Sequence, residues 1–116
     1  MWYRLNRLEA LESLEIRAEI EVPPTSSWFD GHFPGEPVLP GLAQISMVFD
    51  LIKRVTGKDV KMSKVSRVRF KRIVCPNERL EIFVAPLKKE ANAYTFRIRI
   101  QNEPVSSGVV RLEKNE

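Results

Sequence analysis

Residues 28 to 50 read Trp-Phe-Asp-Gly-His-Phe-Pro-Gly-Glu-Pro-Val-Leu-Pro-Gly-Leu-Ala-Gln-Ile-Ser-Met-Val-Phe-Asp, and this stretch decides the fold. It holds the single histidine of the chain, His32, with three of the five glycines and three of the eight prolines. Because proline fixes φ and glycine permits positive φ, its first half predicts a rigid, turn-rich loop. Its second half is apolar at helical spacing, which predicts a helix that starts near Leu39 or Pro40 and buries Leu42, Ile45, Val48, Phe49 and Ile52.

Stretches that alternate between apolar and polar residues lie on both sides of this helix. Leu14 to Val22 alternates before Pro23-Pro24, with Leu14 among the inward residues. The helix should end near Val55, where Thr56-Gly57-Lys58 supplies a glycine stop. Period-two alternation predicts half-buried strands at 65–74, 80–87, 94–101 and 105–112. This order predicts an α+β protein, in which an antiparallel sheet wraps around one long central helix.

The N-terminal segment and the assembly follow from the same patterns. Residues 1–13 are expected to form an N-terminal arm or a short amphipathic helix, because Leu5, Leu8 and Leu11 recur three apart. With 116 residues, the chain should fold as a single domain, 1–116. A helix that is apolar on much of its circumference needs more cover than one small sheet gives, so we expect a homodimer that extends the sheet across a two-fold axis.

Composition narrows the classes of function. The chain is 43% hydrophobic and 29% charged, and no apolar run approaches the roughly 20 residues of a membrane span. The N-terminus lacks a secretory pattern, so a cytoplasmic location is expected. Cys75 stands alone, without companions at metal-ligand spacing, and is expected to be a packed or loop thiol. The net charge of +4 favours acidic partners, but no motif supports nucleic-acid binding.

Two stretches resemble a known family. Gly31 to Leu42, Gly-His-Phe-Pro-Gly-Glu-Pro-Val-Leu-Pro-Gly-Leu, is similar to the G-H-F-P-G-x-P-x-x-P-G-V signature of the β-hydroxyacyl-acyl-carrier-protein dehydratases. Arg69 to Glu78, Arg-Phe-Lys-Arg-Ile-Val-Cys-Pro-Asn-Glu, resembles the R-F-K-R-P-V-x-P-G-D strand and turn of the same family. The resemblance implies the hotdog fold, a β-hydroxyacyl or enoyl thioester of acyl carrier protein or coenzyme A, and neither metal nor other cofactor.

The resemblance also implies a role for individual residues. His32 matches the histidine that abstracts or relays the α-proton, and a histidine titrates near neutral pH as this step requires. The backbone N–H of Gly41 matches the group that polarises the thioester carbonyl, and the carbonyl of Val38 matches the one that orients the imidazole. Pro40 and Leu42 are expected to bind substrate beside them. Phe33 is expected either to do the same or to close the core under the loop, since both uses bury aromatic area.

The chain departs from the family pattern at the acid. The family pattern places a Glu or Asp five residues after the glycine of Pro-Gly, contributed by the partner subunit, and this chain has Ser46 there. A serine hydroxyl cannot deliver a proton at neutral pH as a carboxylic acid can. Asp50 is a weak substitute, because it shares roughly the face of Ser46 but lies about 6 Å further along the helix axis. Ser46 could instead be a plain helix serine or a nucleophile paired with His32, although no Gly-x-Ser-x-Gly elbow surrounds it.

Three functions therefore stay open at this point. The leading interpretation is a dehydratase-type lyase of fatty-acid-type metabolism that acts at His32. The alternatives are a non-catalytic acyl-binding partner subunit and an acyl thioesterase. A set of cations on the predicted strands is either a solvated face or a docking surface for an acidic carrier protein; these cations are Arg67, Arg69, Lys71, Arg97 and Arg99.

Overall fold

The computed structural model describes residues 2–30, 37–57, 59 and 61–113. Two strands come first, β1 (Arg4–Ala10) and β2 (Ile16–Glu21). A short 3-10 helix (Ser27–Phe29) and the helix α1 (Gly41–Thr56) follow. The described part of the chain then continues through four strands, β3 (Met62–Phe70), β4 (Arg79–Pro86), β5 (Ala93–Ile100) and β6 (Glu103–Leu112).

The six strands form one sheet in the order β1-β2-β4-β5-β6-β3, and every neighbouring pair is antiparallel. Alternate residues of each central strand are buried, as expected for a sheet with one face against a core. α1 supplies the other side of that core, which includes Ile20, Met47, Leu51, Ile82 and Phe96. An antiparallel sheet around one long helix confirms the predicted α+β class and the hotdog arrangement.

Both ends of α1 lie where the sequence predicts them. Pro40 is the N-cap and makes no side-chain capping bond, so the helix starts where the proline-rich loop ends. At the other end Gly57 has φ of 68°, in the left-handed region that glycine adopts without penalty, and its N–H donates to the carbonyl of Lys53. The predicted glycine stop is confirmed. None of the helices in the described ranges is long and apolar enough to cross a membrane.

The helix alternative for residues 1–13 and the inward position of Leu14 are wrong. Arg4–Ala10 form a strand that pairs with β2, whereas a helix was one of the two alternatives. Backbone hydrogen bonds to β2 stabilise the strand, although the three-residue spacing of the leucines is also typical of a helix. Strand formation depends on such pairing more than on the local pattern. Leu14 is 45% exposed and lies in the turn before β2 with φ of 64°, so it does not point into the core.

The buried stripe of α1 also differs from the predicted one. Ile45, Val48 and Ile52 are buried as expected, but Leu42 is 61% exposed. Phe49 is only partly buried, and the ammonium of Lys53 lies 5.3 Å from its ring centroid. The sheet instead covers a stripe shifted around the helix, which adds Ala43, Gln44, Met47 and Leu51. The strand predicted at 65–74 ends at Phe70, after a bulge between Ser66 and Arg69 in which Arg67 has φ of 53°.

Candidate active site

The start of α1 presents free backbone N–H groups. Its first turn contains no acidic residue and Pro40 supplies no side-chain acceptor, and within the described ranges no acceptor contacts the N–H groups of Gly41 or Leu42. The first N–H groups of a helix carry partial positive charge, so this end can stabilise a developing oxyanion or a polarised carbonyl. The geometry therefore leaves two backbone donors at the helix start available to a carbonyl or anionic oxygen.

Phe70 covers Gly41. A Cβ atom placed on Gly41 would lie 2.8 Å from both Cε atoms of the Phe70 ring and closer still to its Cζ atom. The ring stays 51% exposed, so it forms an apolar wall beside the open N–H groups rather than part of the core. Glycine at this position thus permits the end of β3 to approach the helix start.

The stretch from Arg69 to Glu78 is hydrogen-bonded to the segment that precedes α1. The N–H of Leu39 donates to the carbonyl of Val74 at 2.8 Å, which fixes the residues leading into Gly41 against the stretch that follows β3. On the other side of Phe70, the N–H of Lys71 donates to the carbonyl of Val105 at 2.8 Å. The two resembling stretches therefore meet at the start of α1.

Glu78 closes the turn of this second stretch. Its carboxylate accepts from the guanidinium of Arg72 at 2.7 Å and from the backbone N–H of Cys75 at 2.8 Å. Burial favours the protonated form of Glu78, but the Cys75 N–H and the Arg72 charge outweigh it and lower the pKa of this carboxyl. Cys75 is partly buried in this turn, in agreement with its expected structural place.

Ser46 lies one turn along the helix from Leu42 and is partly exposed. Its hydroxyl donates to the carbonyl of Leu42 at 2.9 Å, the back-bonding that helix serines commonly make to their own backbone. This bond uses the hydroxyl proton within the helix. In this arrangement Ser46 makes the contact of an ordinary helix serine.

Asp50 is engaged by two donors. One carboxylate oxygen, Oδ2, accepts from the hydroxyl of Tyr3 and, at 3.0 Å, from Nε of Arg54. Burial raises the pKa of Tyr3 to about 12, and the hydrogen bond to Asp50 adds to the shift. Tyr3 is only 4% exposed and stacks edge-on against Trp2, which itself contacts Trp28. Asp50 thus anchors the N-terminal segment to the helix.

A buried polar pair lies beneath the helix start. Gln44 and Ser106 are 2% and 5% exposed, and the Ser106 hydroxyl donates to Oε1 of Gln44 at 2.7 Å. Ser106 is the cross-strand partner of Phe70, so the pair links the helix to the region that covers Gly41. Sequence reasoning did not single out this pair, since a bond between residues 62 positions apart leaves no local signal.

The predicted substrate-binding residues are only partly brought together in the described part of the chain. Val38, Pro40, Gly41 and Leu42 are consecutive or nearly so at the helix start, and Ser46 follows about 7.5 Å along the axis at 1.5 Å per residue. His32 and Phe33 lie outside the described residues.

No cluster of three His, Cys, Asp or Glu side chains that could hold a metal ion occurs within 2–30, 37–57, 59 and 61–113. Sequence analysis missed Tyr3, Gln44 and Phe70 as neighbours of this site.

Comparison with known proteins agrees with this geometry. The family model for the ApeI-like dehydratases, described as ApeI dehydratase, matches residues 8–109. A 3-hydroxyacyl-(acyl-carrier-protein) dehydratase, FabZ, of Lactiplantibacillus plantarum is 30% identical over 99 residues, which cover 79% of this chain and 66% of that protein. The Syntrophobacter fumaroxidans FabZ is 32% identical over 98 residues, covering 78% and 67%. This chain therefore spans slightly less than two thirds of the Lactiplantibacillus protein.

A solved structure is similar over nearly the whole chain. The dehydratase heterocomplex ApeI:P from Xenorhabdus doucetiae contains a chain that is 27% identical, with a TM-score of 0.87 over 98% of this chain and 100% of that one. The antiparallel sheet and its central helix define a hotdog protein. The chain belongs to the ApeI-like dehydratase family, as the match over residues 8–109 establishes.

Proposed function

We propose that this chain forms a dehydratase-type site for β-hydroxyacyl or enoyl thioesters, carried by acyl carrier protein or coenzyme A, in the cytoplasm. The observation that carries the proposal is the start of α1, where the N–H groups of Gly41 and Leu42 have no acceptor in the described part of the chain. The thioester carbonyl would accept from Gly41, which lowers the cost of removing the α-proton. His32 would take that proton, and the carbonyl of Val38 would orient its ring.

The remaining requirement is an acid for the departing β-hydroxyl. Ser46 donates its proton to the carbonyl of Leu42, and Asp50 accepts from Tyr3 and Arg54. We infer that neither group protonates the leaving hydroxyl. A homodimer, which the sequence predicted, would therefore contain two sites that lack a carboxylic acid.

Pairing with a second hotdog chain that carries Glu or Asp at the position of Ser46 supplies the missing group. If the acid crosses to the neighbouring subunit, as the family resemblance implies, His32 of this chain and the partner's carboxylic acid form one complete site per pair. The similarity to a chain of a dehydratase heterocomplex favours this arrangement. This chain would then act as a single hotdog domain that contributes the histidine half of the site.

A direct assay tests the proposal. The purified chain is incubated with a β-hydroxyacyl thioester and with the enoyl thioester, alone and together with a co-expressed hotdog chain that carries the acid, while enoyl absorbance and free thiol are followed. We expect interconversion only in the mixed sample, and its loss with His32→Ala. Thiol release would instead identify a thioesterase, and thioester binding without turnover in either sample would leave only the acyl-binding role.

Restoring the acid within the chain is the complementary test. Ser46→Glu should give dehydration by the chain alone, because each subunit of a homodimer would then offer both groups. Ser46→Gln is the matched control, since it has a similar size and no acidic proton. Equal activity of the two variants would contradict the role assigned to position 46.

A further inference from the structure

The stretch around β3 is strongly basic. Residues 61–72 contain six Lys or Arg side chains and no Asp or Glu. Arg72 pairs with Glu78 and Glu103. The other five cations are exposed and form no ion pair within the described part of the chain. We call these five residues the basic edge; they are Lys61, Lys64, Arg67, Arg69 and Lys71.

β3 lies at the end of the sheet, so one of its two backbone edges is open. It pairs with β6 and, among the described residues, with no other strand. The N–H and C=O groups along an open edge can pair with a strand of another chain, and β3 has nine residues along which such a pair can form. A partner that satisfies these groups must present a strand edge of its own.

Exposed apolar side chains adjoin this edge. Phe70, the last residue of β3, is 51% exposed, and its ring covers Gly41 at the start of α1. Leu42 and Ile73 are each 61% exposed. The edge of β3 and the start of α1 thus form one surface with charged and apolar parts. Clustered apolar side chains of this kind mark a surface that another protein covers.

A second copy of the chain is a poor match for the basic edge. In an antiparallel pair of strands, side chains on one face lie directly opposite each other, and like charges in that position are destabilising. Because residues 61–72 contain no carboxylate, no register of two β3 strands places an acid opposite a cation. The bulge between Ser66 and Arg69 also bends the edge that both copies would have to match. Charge and shape therefore weaken the pair of identical chains.

A different partner satisfies both the backbone and the charges. A protein that presents only acidic side chains would leave the N–H and C=O groups of β3 unpaired, whereas a sheet edge that carries carboxylates would satisfy both. We infer that the open edge of β3 is the interface for a second, different hotdog chain whose own edge strand carries Asp or Glu. Charge then favours this unlike pair over the homodimer.

This inference deepens the proposed function, on which it rests for the need of a partner that supplies an acid. It adds the edge that the partner occupies and the charge that its edge strand carries. The similarity to a chain of the dehydratase heterocomplex ApeI:P agrees with an unlike pair. Assembly is measured without substrate, so the inference is tested separately from turnover.

A charge-reversed variant of the chain itself serves as the acidic partner. Lys64→Glu, Arg67→Glu and Arg69→Glu are combined, and the variant is mixed in equal amounts with isotope-labelled wild type at low salt. Native mass spectrometry counts the dimers. We expect mixed dimers to make up about nine in ten, against about half if charge does not discriminate between partners.

A matched control changes the same number of charges outside β3. Lys88→Glu, Lys89→Glu and Arg97→Glu also replace three exposed cations that form no ion pair in the described part of the chain. This variant mixed with wild type should give about half mixed dimers, since its basic edge is unchanged. An equal excess of mixed dimers in both experiments would overturn the inference, as would the absence of dimers from the β3 mixture.

Salt and neutral variants test the repulsion without a charge-reversed chain. Self-association of wild type should tighten as salt rises, because screening weakens repulsion between the two basic edges. Lys64→Gln, Arg67→Gln and Arg69→Gln together should tighten self-association at least tenfold at low salt, and this variant replaces the glutamate variant if melting shows that the latter does not fold. Self-association of wild type that weakens with salt would contradict the inference.

Hydrogen exchange locates the interface. Backbone amides of β3 in wild type should exchange more slowly in the mixture with the charge-reversed variant, whereas those of β1, at the opposite edge, should not change. Protection of β1 instead of β3 would overturn the inference, and so would displacement of the variant by a purified acyl carrier protein. If a pair assembles on β3 with a chain that carries the acid and yet gives no turnover, that result counts against the proposed function alone.

Discussion

Phe70 lies on Gly41 so closely that any side chain at position 41 would displace its ring. This contact joins the end of an edge strand to the first residue of the central helix. It also places an aromatic wall beside the N–H groups proposed to polarise the thioester carbonyl. The contact between these two residues therefore links the fold of the chain to its candidate chemistry.

Gly41→Ala should move the Phe70 ring without unfolding the protein, because the ring is half exposed and has room to turn. We expect a loss of about 1 kcal/mol in the free energy of unfolding, and a much smaller loss when Phe70→Ala is already present. Chemical denaturation of the two single variants and the double variant measures this coupling. Strict additivity would mean that the ring does not rest on Gly41 in solution.

Asp50→Asn should weaken the anchor between the N-terminal segment and α1. The Tyr3 hydroxyl and Arg54 would lose their charged acceptor, so we expect a lower melting temperature and faster proteolysis near the N-terminus. Catalytic turnover by the mixed pair of chains should stay near that of the wild type below the melting temperature. A large loss of turnover with unchanged stability would restore Asp50 as a candidate acid.

The ionisation of Tyr3 should destabilise the fold at high pH. Its pKa is raised from 10.0 in the unfolded chain to about 12 in the folded protein, so the folded state holds the phenolic proton more tightly. The stability from this group is complete below pH 10 and is lost as pH rises through 12. Denaturation of wild type and Tyr3→Phe between pH 9 and 12 checks this, since their difference should diminish with rising pH. A constant difference would rule out the raised pKa.

Ser106→Ala should cost about 1–3 kcal/mol, because it leaves the buried Oε1 of Gln44 without its donor. Replacing both members, Gln44→Leu with Ser106→Ala, should recover much of this loss, since neither position then places a polar side-chain atom in the core. Free energies of unfolding for the single and double variants provide the test. If the double variant is as unstable as the sum of the singles, the pair does not act as a unit.

Glu78→Gln should reduce stability at neutral pH and have little effect in acid. The folded-state pKa of Glu78 is lowered, so its contribution is present above the ordinary glutamate pKa and is lost as pH falls through the lower folded value. Unfolding of wild type and variant at pH 7 and at about pH 3 measures the contrast. Glu103→Gln is the control, because it makes the same change at the exposed second carboxylate of Arg72 and leaves the Glu78 carboxylate in place.

The local sequence determined most of the architecture. The alternation of apolar and polar residues predicted the central strands, and Gly57 predicted the end of the helix. The stretch that contains His32 indicated the family. Each of these signals depends only on residues that are neighbours in the sequence. The substitution at Ser46 was visible in the same way, because the family spacing from Gly41 is a matter of counting. Five of the six strands and α1 were predicted from these patterns.

Tertiary structure decided which strands pair and which side chains form hydrogen bonds. Arg4–Ala10 became a strand because β2 offers backbone partners, although leucine spacing alone permitted a helix. Asp50 accepts a hydrogen bond from Tyr3, 47 residues away, and Gln44 accepts one from Ser106, 62 residues away. Periodic patterns in the sequence do not predict contacts over such separations. The strand order likewise left β3 at an edge of the sheet. Sequence specifies the residue types available for hydrogen bonds and charge pairs, whereas packing decides which of them meet.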